Sequence, residues 1–246
     1  MRYLILSDIH SNIDALEAVL AAAPPFDRIL VLGDLVGYGA DPNGVIDRIV
    51  ALRPYAIIRG NHDKVAAGIE TAEGFNPTAQ KSADWTRASL TEENRAFLRA
   101  LEAGPLIVDD LTEICHGSPA DEDTYIFADS DAAEGLAFAR RPACFFGHTH
   151  LPTALTLSPE RQLDVLVQGG GSHPVIALAP GGKYLINPGS VGQPRDGDPR
   201  AAFALLDTEA REVTLARTAY PVERAHDRIL AAGLPKVLAQ RLIVGL

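Results

Sequence analysis

Asp8, His10, Asp34, Asn61, His62, His116, His148 and His150 are the residues most able to do chemistry, because each sits just past a short apolar run. They fall in five blocks: Asp8-Ile9-His10, Gly33-Asp34, Gly60-Asn61-His62-Asp63, His116-Gly117-Ser118-Pro119 and Gly147-His148-Thr149-His150. In layered α/β sheets, ligands bind in the crevice outside the carboxyl ends of the strands. Five such ends bring two Asp, one Asn and five of the chain's seven His to one rim, which describes a metal site. Each block alone is weak: Gly33-Asp34 reads as readily as a turn, and a lone histidine more often reports a satisfied hydrogen bond than a ligand. Their joint occurrence in this order discriminates. No cysteine enters the set, so a soft thiolate site is disfavoured, and mixed nitrogen and oxygen donors suit Mn, Fe, Zn, Ni or Co.

The elements that must position these residues follow from periodicity. Arg2–Leu6, Arg28–Leu32 and Tyr55–Ile58 are apolar strand-like runs. They alternate with helical patterns, one begun by Asn12 and ending near Ala22, the other over Pro42–Leu52. Successive strand–loop–helix units argue for a parallel sheet in an α/β layer structure. From Asn76 to Leu101 two short helices are expected, the second starting at Thr91-Glu92-Glu93-Asn94. Strands resume at Leu106–Val108, Glu113–Cys115 and Ala143–Phe146. The last third holds further runs at Val175–Leu178, Tyr184–Ile186, Ala201–Leu206 and Val213–Ala216, divided by Gly/Pro-rich loops as a second, partly antiparallel sheet needs. The expected fold is an α/β two-sheet sandwich flanked by helices, closed by a helical pair after Pro221. Residues 1–246 read as one domain, with the helical insert over residues 76–101 placed to cap the rim.

Composition sets the class. With 246 residues, 47% of them hydrophobic, the chain can bury one substantial core. No apolar stretch approaches the roughly 20 residues that span a bilayer, the opening run is too short for a signal peptide, and two cysteines make no disulfide framework. A cytoplasmic protein is expected. The net charge of −10 and the lack of a Lys/Arg-rich run argue against duplex nucleic acid as a substrate.

The ordered set Asp8-x-His10, Gly33-Asp34, Gly60-Asn61-His62-Asp63, His116 and Gly147-His148-x-His150 resembles the calcineurin-like metallophosphoesterase superfamily. The later Asn187-Pro-Gly-Ser-Val-Gly-Gln-Pro-Arg195 segment is similar to its small bacterial and archaeal branch, which includes enzymes of phosphodiesters and dinucleoside polyphosphates. The resemblance implies two divalent ions. Asp8, His10 and His150 would hold one, Asn61, His116 and His148 the other, with Asp34 bridging and His62 outside the ligand set. Physics agrees: cations about 3.5–4 Å apart repel, and a shared carboxylate holds them together. The implied mechanism is attack on phosphorus by a metal-bridging hydroxide, with His62 as general acid for the departing alkoxide.

Other residues receive lesser assignments. Asp63 orients His62 or, as the safer expectation, caps the following helix. Cys115 and Cys144 belong in the core, as does Trp85 in the helical insert. Tyr38 sits beside Asp34, where it stacks on a substrate base or, more simply, packs over the loop. Arg59 and Arg195 are candidates for gripping a distal phosphate of a small, nucleotide-type substrate. Phosphoprotein phosphatases of the superfamily follow the second Asp with Asp-Arg-Gly, whereas Asp34 is followed by Leu-Val-Gly-Tyr-Gly, which argues against protein substrates. A repair nuclease is disfavoured by acidity and a short chain, and a non-enzymatic scaffold by the intact ligand set.

Overall fold

The alternating runs at the start of the chain form β1 (Arg2–Leu6), α1 (Ile13–Ala22), β2 (Arg28–Val31), α2 (Pro42–Leu52), β3 (Ala56–Ile57) and α3 (Asn61–Ala67) in the computed structural model, which describes residues 1–157, 162–169 and 174–246. Asn12 caps α1 by accepting from Ala15 N at 3.1 Å, and Asp41 caps α2 from Gly44 N at 3.1 Å, with Pro42 in the first turn. The expected helical insert is α4 (Pro77–Ser89) and α5 (Glu92–Ala100), capped by Asn76 and Thr91. There follow β4 (Leu106–Ile107), β5 (Thr112–Ile114), α6 (Asp129–Phe138), β6 (Ala143–Phe145), β7 (Thr153–Leu157) and β8 (Leu163–Gln168). Then come β9 (Val175–Ala177), β10 (Lys183–Asn187), β11 (Ala201–Asp207), β12 (Glu212–Thr218) and the expected closing pair, α7 (Val222–Ala231) and α8 (Lys236–Val244).

Two six-stranded sheets result, ordered β3-β2-β1-β11-β12-β9 and β4-β5-β6-β10-β7-β8. The strands that carry the candidate site run parallel within each sheet: β1 with β2, β2 with β3, and β5 with β6. Parallel neighbours place their carboxyl ends at the same rim, which is how residues more than a hundred positions apart meet. Tyr3, Ile5, Leu30, Phe145, Ile186 and Leu206 fill the space between the sheets. Leu4 and Leu6 point the other way, under α1 and α2, so β1 is buried on both faces and reads as a continuous apolar run. On the outer side of the second sheet, Cys115, Cys144 and Leu185 meet Leu136 of α6. Among the described residues no helix is long and apolar enough to cross a membrane.

One expectation is corrected. The strands of the last third do not form a sheet of their own: β9, β11 and β12 extend the first sheet, and β10 enters the middle of the second. The first sheet leaves one edge of β1 open after β2 has paired with the other. β11 fills it antiparallel, with Ile5 opposite Ala204.

Candidate metal centre

The rim turns are tight and left-handed. Asp8, His10, Asp34, His148 and His150 all have positive φ, between 47° and 67°. For residues with a Cβ this conformation costs about 1–2 kcal/mol each, and such strain collects where surrounding structure imposes it for function. Two glycines in the sequence blocks have a steric reason. A Cβ on Gly60 would meet Asp34 Oδ1, and one on Gly147 would meet Ser7 Oγ and Asp8 Oδ2, so only glycine lets the backbone lie against these carboxylates.

Two buried clusters form. Asp8, His10, Asp34 and His150 make one, and Asp34, His116 and His148 the other, with ligand atoms within 4.8 Å of one another in each. Asp34 belongs to both: its Oδ2 lies 3.5 Å from His10 Nε2 and 3.5 Å from His116 Nε2. Asn61 Oδ1 is 3.2 Å from His116 Nε2 and so completes the second group. Second hydrogen bonds orient the donors. Asp34 Oδ1 accepts from His62 N at 2.9 Å, and Asp8 accepts from Ser7 Oγ at 2.6 Å and from His148 N at 3.2 Å.

Each imidazole of the two clusters has one nitrogen committed to a backbone carbonyl. His10 Nδ1 faces Val36 O at 2.9 Å, His116 Nδ1 faces Leu32 O at 2.8 Å, His150 Nδ1 faces Gln193 O at 2.6 Å and His148 Nε2 faces Asp123 O at 3.0 Å. A carbonyl only accepts, so each ring donates there and turns its other nitrogen to the centre, where it offers a lone pair whenever that nitrogen is unprotonated. His10 Nε2 and His150 Nε2 therefore face each other, 3.1 Å apart, as two acceptors. Such a pair fits a cation shared between them, and the donor set matches a site for borderline divalent metals.

Burial governs the charges. It drives His10 and His150 well below the ordinary imidazole range, and brings His148 to about 3 and His62 to about 4, so these rings are neutral near pH 7. Burial opposes charge on His116 as well, but Asp34 and Asp8 outweigh it and hold its pKa near 10. For Asp34 burial again opposes ionisation, and His116, His62 and His10 overcome it, keeping the carboxyl well below its usual range. The Asp34 carboxylate shared by the two clusters is thus ionised, and a cation bound beside it would displace the proton of His116.

The other expected residues divide. His62 joins the site, its ring packed against His10, Tyr38 and Phe75 at 5.0, 4.4 and 4.6 Å, with a buried, unpartnered Nδ1. Asp63 does not reach His62; it accepts from Gly60 N at 3.0 Å and Val36 N at 3.2 Å, as a cap. Tyr38 is only 7% exposed and packs against both His10 and His62. Arg195 reaches the rim, with its guanidinium 3.4 Å from Tyr38 Oη. Arg59 turns away into a forked pair with Glu122, at 3.2 and 3.1 Å. Of the helical insert, α4 touches the site's flank through Ser82 Oγ, which accepts from Tyr38 N, whereas α5 packs on α2 and α3.

Several contributors escaped the sequence reading. The Asn187–Arg195 segment supports the cluster directly: Ser190 Oγ donates to Asp8 O, Gly192 N also bonds Asp8 O, and the Gln193 carbonyl orients His150. Lys64, fully buried, holds the Asp123 and Glu122 side chains at 2.5 and 3.1 Å and so fixes the loop whose carbonyl orients His148. For Lys64 and the orienting carbonyls the sequence carries no signal: the burial of the lysine shows only once the loop docks, and a carbonyl acts whatever its side chain.

Comparisons with known proteins identify relatives of the whole chain. A model of the calcineurin-like phosphoesterase superfamily domain matches residues 1–211. An uncharacterized protein of Methanocaldococcus jannaschii is 34% identical over 248 residues, covering 98% of this chain and 97% of that protein. A metallophosphoesterase from Sphaerobacter thermophilus is 36% identical with a TM-score of 0.87, over 100% of both chains. A hypothetical protein from Pyrococcus horikoshii shares the fold at 22% identity and a TM-score of 0.78, over 100% of this chain and 98% of that one.

Proposed function

The chain belongs to the calcineurin-like phosphoesterase superfamily, and from that premise we propose that it is a phosphodiesterase of small nucleotide-type substrates, dinucleoside polyphosphates included, working with two divalent transition-metal ions. The observation that carries the dinuclear reading is Asp34 Oδ2, placed 3.5 Å from an imidazole nitrogen of each cluster. Asp8, His10 and His150 would hold one ion, Asn61, His116 and His148 the other, and Asp34 both. When bound, manganese or a similar ion supplies Lewis acidity and a water that ionises near neutral pH.

The remaining work falls to side chains. His62 is the proton carrier beside the ligands. Burial leaves it neutral, with a pKa of about 4, so proton donation to the leaving group draws on the negative charge of a bound ester to raise that value. Arg195 supplies positive charge that no carboxylate neutralises among the described residues. It lies close enough to act electrostatically on Asp8, His62 and His150. An unneutralised guanidinium at the rim suits a phosphate remote from the one attacked.

A screen of phosphomonoesters, diesters, cyclic nucleotides and dinucleoside polyphosphates with Mn, Fe, Zn, Ni and Co tests the reading. Diester and polyphosphate turnover is expected to exceed that of monoesters. A preference for monoesters would make the protein a phosphomonoesterase, and no hydrolysis with any metal would contradict the enzymatic reading altogether. Within that screen, Arg195→Ala is expected to lower kcat/KM for a dinucleoside polyphosphate by roughly 1–3 kcal/mol while barely changing bis-p-nitrophenyl phosphate. Equal effects on both substrates, or none, would remove Arg195 from substrate binding.

A further inference from the structure

On the His148 side of the centre, two large aromatic rings stand open to solvent. Tyr125 is 41% and Phe127 65% exposed, while Ile126 between them points inward and is buried. The Tyr125 ring stacks on the His148 imidazole at 3.7 Å and 19°, and the Phe127 ring lies nearly parallel to Tyr125 at 5.2 Å and 12°. A stepped row of rings thus runs outward from a candidate metal ligand. Arg195, which bonds the Tyr38 hydroxyl at 3.4 Å, also acts electrostatically on the Tyr125 hydroxyl, which places a cation near the inner end of the row.

The row is held in place. Phe127 N and Ala128 N both donate to the Asp131 carboxylate, at 3.1 and 2.8 Å, and Lys64 ties down Asp123 just before Tyr125. A fixed, exposed aromatic face has little ordering entropy left to lose on binding a flat partner. Every nucleobase has such a face, and base–aromatic stacking tolerates different bases.

We propose that Tyr125 and Phe127 form a stacking subsite for the planar aromatic part of the substrate, a nucleobase or aryl group joined to the phosphate at the metal centre. The position of that phosphate rests on the phosphoesterase reading. Phe127, not the buried Tyr38, is then the ring that selects for aromatic esters.

Calorimetry on the manganese-loaded full chain tests this with adenosine 5′-monophosphate and ribose 5-phosphate, which share the sugar phosphate and differ at C1, where the base is replaced by a hydroxyl. The nucleotide is expected to bind roughly 5- to 150-fold more tightly. Phe127→Ala should erase most of that preference and leave ribose 5-phosphate affinity unchanged, and Phe127→Trp should retain it. Equal affinities in the wild type, or a preference that survives Phe127→Ala, overturn the subsite. So does a parallel loss for ribose 5-phosphate, which would make the phenyl ring a support of the centre. The readout is binding, so the two readings fail separately. Ester hydrolysis without a base preference sinks only the subsite. A Phe127-dependent base preference without hydrolysis of any ester sinks only the phosphoesterase reading.

Discussion

Asp34→Asn is expected to empty both cation positions and to lower ester hydrolysis by at least about 10³-fold, since metal polarisation and charge stabilisation supply several kcal/mol. The substitution preserves shape. Asp34 Oδ1, which accepts from His62 N, is replaced by an amide oxygen that accepts equally well. What disappears is the negative charge between the clusters. Burial works against that charge, and only the surrounding His116, His62 and His10 keep it ionised. Without it, two divalent ions a few ångströms apart have no shared counter-charge and repel. His10→Ala is the contrast: it removes one donor from one cluster and should deplete mainly a single ion. Metal content after dialysis, measured beside kcat/KM, separates the cases. Full retention of one ion in Asp34→Asn would confine Asp34 to a single site.

The second large effect is expected at His62. His62→Ala should keep both ions, because the ring coordinates neither cluster, yet lose about 10²–10⁴-fold on esters with basic alkoxide leaving groups. p-Nitrophenyl esters should lose much less, because that leaving group departs without protonation. The ring's packing against Tyr38 and Phe75 holds it beside the centre, so truncation also opens a cavity. The ratio between the two substrate types, not the absolute rate, is the readout that a packing defect leaves unchanged. Equal losses on both would assign His62 to positioning or phosphate binding.

The candidate ligands were legible because each follows a run that can only be a buried strand, and strand ends share a rim whenever the strands are parallel. Leu6 before Asp8, Leu32 before Asp34 and Phe146 before the Gly147 block mark those ends in the sequence itself. Sheet membership was not legible. Ala201–Asp207 reads as a strand, but nothing in its residues says that it pairs with Arg2–Leu6 as well as with its neighbour Glu212–Thr218. α6 was missed because its sequence is mostly small and polar, with only Ala132, Gly135 and Leu136 buried. The groups that aim the histidines were hidden for a different reason. Val36, Leu32, Gln193 and Asp123 act through backbone carbonyls, to which side-chain identity is irrelevant. Lys64 and the Tyr125–Phe127 row depend on an irregular loop docking about sixty residues further along the chain, a contact that no periodicity announces.

Two ions are expected to act together at the Asp34 carboxylate that both clusters share. Chelator-stripped protein titrated with Mn²⁺, while hydrolysis of bis-p-nitrophenyl phosphate is followed, tests this most directly. Activity is expected to be negligible without metal and to reach its plateau at two equivalents per chain, with elemental analysis of the active protein giving the same stoichiometry. A plateau at one equivalent, or undiminished hydrolysis by the stripped protein, would contradict it.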